Sequence, residues 1–236
     1  MKNTKKIVLG ITFILLLSFA AFFLYVSDYY KADEYVGEVI ATEQSLNITR
    51  DKNLTFFYPE EDTSSALIFY PGGKVDEMAY YPLLSSLSKK GITCVLVKMP
   101  FHLAVFDINA ADAIYDKLPN IKNWYIGGHS LGGAMASSYA AKHPDTIHGL
   151  VLLGAYVYGD IDPSKAITIY GSNDMVLDKS KITDQMNVFL IEGGNHAYFG
   201  NYGEQKGDGV ASITRQEQQN QCISAIFDFM SANRTP

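Results

Sequence analysis

Uncharged apolar runs recur along the chain, and segments with helical spacing separate them. ALIFY at 66–70, ITCVLVKM at 92–99, NWYIGG at 123–128, IHGLVLLGA at 147–155, AITIYG at 166–171 and NVFLIEGG at 187–194 are short and rich in β-branched and aromatic residues. Runs of this length and composition predict buried strands. Between them, MAYYPLLSSLSKKG sets Met78, Tyr81, Leu83, Leu84 and Leu87 on one helical face, with Gly91 as its stop. FDINAADAIYDKL at 106–118 also reads as helical. LGGAMASSYAAKHP at 131–144 reads as a helix of small residues, and SITRQEQQNQCISAIFDFM at 212–230 as a closing helix. Thr214 and Glu217 have the spacing of a capping box at the start of the last one. The stretch 37–60 holds two further β-like runs, the second around 54–58. Apolar strands alternating with helices predict an α/β fold whose mostly parallel sheet is covered on both faces. In such open sheets, functional residues gather at the carboxyl ends of the strands.

The N-terminus follows a different rule. Lys2, Lys5 and Lys6 precede IVLGITFILLLSFAAFFLYV at 7–26, which carries no charge. A run of about 20 apolar residues is long enough to cross a bilayer as a helix. A signal peptide has a shorter apolar region that ends in small residues. Here Ala20 and Ala21 are followed by Phe22, Phe23 and Leu24. The pattern predicts an uncleaved, single-pass membrane anchor over residues 1–26. The preceding lysines put its N-terminus in the cytoplasm and the rest of the chain outside. Secretion after signal cleavage is the alternative. The polar segment 27–36 reads as a linker, and 37–236 as one domain.

Composition narrows the function classes. Hydrophobic residues make up 47% and charged residues 19%, which supports a packed core. The formal charge is −6, with no basic block beyond the N-terminus, so the footprint of a nucleic-acid binder is missing. Cys94 and Cys222 are far apart, and no Cys/His spacing fits a structural zinc site.

One motif carries chemistry. Gly128-His129-Ser130-Leu131-Gly132 matches G-x-S-x-G, with a predicted strand before it and a predicted helix after it. That context turns a common serine turn into a candidate nucleophile. An activated serine needs a base, and the base needs an orienting acid. Of the five histidines, His196 in IEGGNHAYFG stands directly after the last strand. His129 lies inside the turn and points away from the serine's reacting side. His143 and His148 sit at ordinary helix-end and strand positions. Asp174 follows the strand at 166–171, with Asp178 as the alternative acid. The chain order Ser130, Asp174, His196 is that of the α/β-hydrolase triad. Oxyanion donors are expected from the backbone N–H of Leu131 and of Gly73 in YPGGKVD, with Lys74 as the fallback. Lys74, Phe101, His102, Tyr156 and Tyr198 are candidate pocket residues.

FYPGGKVDEMAYYPL, LVKMPF, WYIGGHSLGGAMA, YGSNDMV and IEGGNHAYFGNYGEQKGDG together resemble the α/β-hydrolase superfamily. More narrowly, they are similar to the small bacterial α/β hydrolase fold-five group, itself distantly similar to dienelactone hydrolases. The likeness runs from about residue 66 to 230. It implies a serine hydrolase with Ser130, Asp174 and His196 as the triad, no metal or organic cofactor, and a small-molecule acyl substrate. Dienelactone hydrolases use cysteine where this chain has Ser130, so their substrate class does not follow. A non-catalytic binding protein on the same fold, and an acyltransferase with the same triad, are the competing readings. The segment 154–166 is too short for a helical cap over the site. A bare site of this kind predicts a preference for short acyl chains. The long polar stretch 201–218 is either a substrate-facing loop or a solvated connection.

Overall fold

The computed structural model describes residues 2–42, 47–182 and 187–233. The apolar runs form strands where their composition predicts them: β3 (Ser65–Tyr70), β4 (Thr93–Val97), β5 (Asn123–His129), β6 (Ile147–Leu153), β7 (Ala166–Gly171) and β8 (Asn187–Ile191). They are preceded by a hairpin of β1 (Asn47–Asp51) and β2 (Leu54–Tyr58). The eight strands make one sheet in the order β1-β2-β4-β3-β5-β6-β7-β8. β1 and β2 join antiparallel, and every pairing from β4 to β8 is parallel. The order reverses at β3, between β4 and β5, which is the kind of switch point where an open α/β sheet leaves a crevice.

The central strands β3 to β7 are apolar on both faces because both are covered, whereas β8, expected to be buried, lies at the sheet edge and exposes Val188, Phe189 and Leu190. α3 (Tyr81–Lys89) and α5 (Arg215–Ala232) pack on one face, against Leu67, Phe69, Val151 and Ile169. α4 (Leu131–Lys142) covers the other, against Ile68, Ile126 and Leu152. The expected capping box is formed: the Thr214 side chain accepts from the Glu217 N–H, and Glu217 accepts from the Thr214 N–H at 2.8 Å. The 154–165 segment holds one 3-10 turn (Pro163–Lys165) and no cap.

Two further expectations change. The helix expected at 106–118 is a chain of 3-10 turns at Ala104–Phe106, Ala110–Ala113 and Tyr115–Lys117. Its backbone bonds run three residues back, as in Asp112 N–H to Asn109 and Ile114 N–H to Ala111. The buried Tyr70 hydroxyl intervenes, donating to the Ile108 carbonyl (2.9 Å) and accepting from the Ala111 N–H (3.0 Å). Asp107 and Asn109, poor helix formers, favour the same break. The second change is at 27–36. Tyr30 forms a bridge with Val75, and Asp33 pairs with Arg215 at 2.8 Å. The helix α2 (Glu34–Thr42) begins within the segment. This segment is polar because it is solvated on one side, yet it is fastened to the domain. Ahead of it, α1 (Lys2–Ser27) is a long helix whose most apolar 18-residue stretch has a mean hydropathy of 2.8 and is unburied.

Candidate active site

β5 ends at a sharp turn. Ser130 has φ 51° and ψ −120°, a backbone conformation that is strained for any residue with a Cβ. The flanking glycines explain why the turn can exist. A Cβ on Gly132 would lie 2.1 Å from the Pro71 carbonyl oxygen, and one on Gly128 would lie 2.5 Å from that of Tyr70. Both obstacles are backbone and cannot swing aside. Gly132→Ala is therefore expected to lower stability by about 3 kcal/mol, the upper end of the range for overpacking, read from the urea unfolding midpoint. Gly37→Ala, in an exposed turn of α2 with open space around it, should be neutral or slightly stabilising.

Ser130 and His196 line one cavity with Leu131, Ala134, Gly154, Ala155, Tyr156, Val176, Leu177 and Asp178. His196 is buried, and its Nδ1 lies 2.8 Å from Oδ2 of the buried Asp174. The other carboxylate oxygen, Oδ1, accepts from the N–H groups of Val176 (2.9 Å) and Leu177 (2.8 Å). Those two donors fix the carboxylate plane, so its remaining oxygen is aimed at the imidazole. The Nε2 of His196 has no hydrogen-bond partner among the described residues. The alternative acid, Asp178, lines the cavity but turns its carboxylate to Ser180, accepting from the N–H (3.2 Å) and the hydroxyl (2.6 Å).

The loop after β3 meets the serine turn from the other side. A Cβ on Gly73 would come within 2.9 Å of the Leu131 side chain, so the two residues are in close approach. The Lys74 N–H is bonded to the His102 carbonyl at 2.8 Å, which removes the fallback oxyanion donor. The Gly72 N–H donates to the Tyr80 hydroxyl at 3.1 Å. That leaves the tyrosine proton for Nδ1 of His129, 2.7 Å away. Burial, reinforced by the neighbouring His196, holds His129 well below an ordinary imidazole, so it is neutral. The Tyr80–His129 link thus ties the glycine loop to the serine turn, and the His129 ring packs 4.5 Å from that of His196.

Among the described residues, four of the five non-glycine positions with positive φ, namely Lys74, Phe101, His102 and Ser130, belong to these two turns and the adjoining loop after β4. Of the candidate pocket residues, Tyr156 lines the cavity. The others are engaged elsewhere. Lys74 lies over the Tyr25 ring and pairs with Asp28. Phe101 meets Phe22 and Phe23, His102 stacks on Tyr29, and Tyr198 lies under the Arg215 guanidinium. The 201–214 stretch is a tie between the acid and base loops. Asp208 accepts from the Ala197 N–H (2.8 Å), Asn195 donates to the Gly209 carbonyl, and Asn173 donates to that of Val210.

Sequence reasoning missed Tyr80, Val176, Leu177 and Gly154. Gly154 has φ +52°, and a Cβ there would sit 2.8 Å from Nδ1 of His196. Its signal was available: a glycine closing a strand opposite the serine turn leaves room for a ring.

A left-handed serine between glycines at a strand-to-helix turn, sharing a cavity with a buried His–Asp pair, defines the α/β-hydrolase class of site. The chain belongs to the alpha/beta hydrolase family, whose model matches residues 66–220. Among solved structures it is similar to a dienelactone hydrolase from Anabaena variabilis, at 14% identity and a TM-score of 0.59, covering 81% of this chain and 100% of that one. It is also similar to a monoacylglycerol lipase from Paleococcus ferrophilus, at 14% identity and a TM-score of 0.56, covering 80% and 100%. Est1E from Butyrivibrio proteoclasticus matches at 13% identity and a TM-score of 0.54, covering 79% and 99%. At these identities the likeness is one of fold. A 1-acylglycerol-3-phosphate O-acyltransferase from Arabidopsis thaliana is 44% identical over 39 residues, 16% of this chain and 9% of the relative's length.

Proposed function

We propose that this protein is a serine hydrolase that cleaves an ester or related acyl bond through an acyl-enzyme. The observation that carries the reading is the cavity shared by the strained Ser130 and the Asp174-bonded His196. Ser130 Oγ attacks the acyl carbon while Nε2 of His196 takes its proton. The Oγ–C bond forms and a tetrahedral oxyanion develops. The N–H groups of Leu131 and Gly73 hold that oxyanion. His196 then gives the proton to the leaving alcohol as the C–O bond breaks. Water, deprotonated by His196, releases the acid and restores Ser130. Asp174 keeps the imidazole proton on Nδ1 and stabilises the imidazolium. A panel of esters, thioesters and peptides tests the reaction class: turnover of esters is expected, and cleavage of peptides alone would contradict it.

The 39-residue likeness to an acyltransferase favours a second reading, in which an alcohol takes the acyl group from Ser130 in place of water. Adding glycerol to an ester assay separates the two, because a transferase yields the glycerol ester as the main product.

The same reading makes α1 an uncleaved membrane anchor, with the domain outside the cytoplasm. Its support is the packing of the helix end: Val26 is buried, and the Phe22 ring lies 5.2 Å from Phe101 and 5.8 Å from Phe106. Cleavage near Ala21 would remove or loosen these contacts. The protein is expected in the membrane fraction, with the domain digested by protease added to wall-stripped cells. Soluble mature protein beginning near Ala21 or Phe22 would contradict the anchor.

A further inference from the structure

We infer that the rim of the Ser130 cavity is a lipid-docking face, held against the outer surface of the membrane that α1 crosses, and that the substrate is an acyl lipid of that leaflet. This rests on the hydrolase and anchor readings above.

The loop after β4 flanks the site. Its Leu103 lies 3.7 Å from where a Gly73 Cβ would be, and its His102 carbonyl holds the Lys74 N–H. Its tip exposes Phe101, Val105 and Phe106, the last 51% accessible. Across the cavity, the loop after β7 exposes Val176, which lines the cavity, and Met175, which is 71% accessible. Large apolar side chains thus stand bare on two sides of the cavity that holds the reacting groups. Exposed apolar residues grouped at a site mark an interaction surface.

The occupant follows from continuity with α1. Phe22 and Phe23, inside the apolar span, touch Phe101, and Phe22 also touches Phe106. Phe22 lies five residues before Ser27, so Phe101 and Phe106 stand about 7 Å along the helix from its end. Amphipathic elements that lie in a membrane surface bury their apolar side to about 5–10 Å, which is the same depth. Tyr25, Tyr29 and the Lys74–Asp28 pair sit at the level where aromatic and charged groups border a bilayer. A bilayer at that depth covers the rim, and the domain then needs no cap. It also removes the basis for a short-chain preference. The acyl tail stays in lipid, and only the ester near the headgroup has to reach Ser130.

Two readouts on the full chain in phosphatidylglycerol nanodiscs test this. Val105→Cys is labelled with an environment-sensitive fluorophore; Cys94 and Cys222 are buried, which pushes their thiols up and keeps them unlabelled. The label should be blue-shifted and quenched by lipids spin-labelled near the headgroup. A label at Lys165→Cys, at the opposite edge of the sheet, should remain in water. A label at 105 as hydrated as that at 165 overturns the docking face. In the second readout, Val105→Glu with Phe106→Glu should lower turnover of a long-chain diacylglycerol in the disc by at least about tenfold and leave a soluble butyrate ester within about twofold. An equal change on both esters overturns the lipid substrate. An embedded label on an enzyme that cleaves neither ester would instead defeat the hydrolase reading while the docking face stands. Recovery of the enzyme as a detergent-resistant dimer whose contact shields position 105 from lipid would assign the rim to a second copy and overturn the inference.

Discussion

Ser130→Ala is expected to lower turnover of the best ester by about a million-fold, the scale seen when a triad serine is lost. The protein should keep its fold. Ser130 forms no side-chain cap with α4, so removing Oγ leaves no buried donor unpaired. Alanine retains the Cβ, and the strained backbone at φ 51° is set by the packing of Gly128 and Gly132. Stability should therefore stay within about 1 kcal/mol of the parent. His196→Ala should fall to a similar rate, and the double variant little lower, because the two groups act on one proton. A Ser130→Ala enzyme that keeps more than a hundredth of the parent rate would mean another nucleophile.

Asp174→Asn is expected to lower kcat by about four orders of magnitude. The reason lies in the bonds around the carboxylate. Oδ1 accepts from the N–H groups of Val176 and Leu177, so an asparagine must present its oxygen there. Its NH2 then faces Nδ1 of His196, which has to become an acceptor. The imidazole proton moves to Nε2, and Nε2 can no longer take the serine proton. Flipping the amide only trades this for donors facing donors at Val176 and Leu177. Asp178→Asn should cost less than about tenfold, since its carboxylate serves the turn at Ser180. The reverse ranking would assign the acid to Asp178. Steady-state rates of both variants on one ester settle the choice.

The strands were legible because β3 to β7 are short apolar runs buried on both faces, and β3 to β8 lie where ALIFY, ITCVLVKM and their successors predict them; NVFLIEGG has the same composition, yet β8 is an edge strand that exposes Val188, Phe189 and Leu190. Ser130, Asp174 and His196 were legible for a related reason: each follows a strand, and a parallel sheet brings strand ends to one edge. What was hidden depends on contacts between distant residues. Nothing local in FDINAADAIYDKL tells that the Tyr70 hydroxyl will interrupt its ladder. The segment 27–36 reads as a linker because its anchors, Val75, Asn201 and Arg215, lie far along the chain. Phe101, His102 and Lys74 were placed near the site by their loops, and those loops do border it. Their side chains are drawn to Phe22, Tyr29 and Tyr25 of the N-terminal segment. That interface joins residues about 80 positions apart, Phe22 to Phe101 and Phe106, and no local pattern marks it.

The most direct test of the serine mechanism is covalent. Full-length protein in nanodiscs, treated with a fluorophosphonate and digested, should yield one modified peptide, with the adduct on Ser130 by mass spectrometry. Labelling should vanish in Ser130→Ala and slow sharply in His196→Ala, because the oxygen attacks phosphorus only when Nε2 takes its proton. Intact, folded protein that takes up no probe, or that is labelled equally well without Ser130, would contradict the serine mechanism.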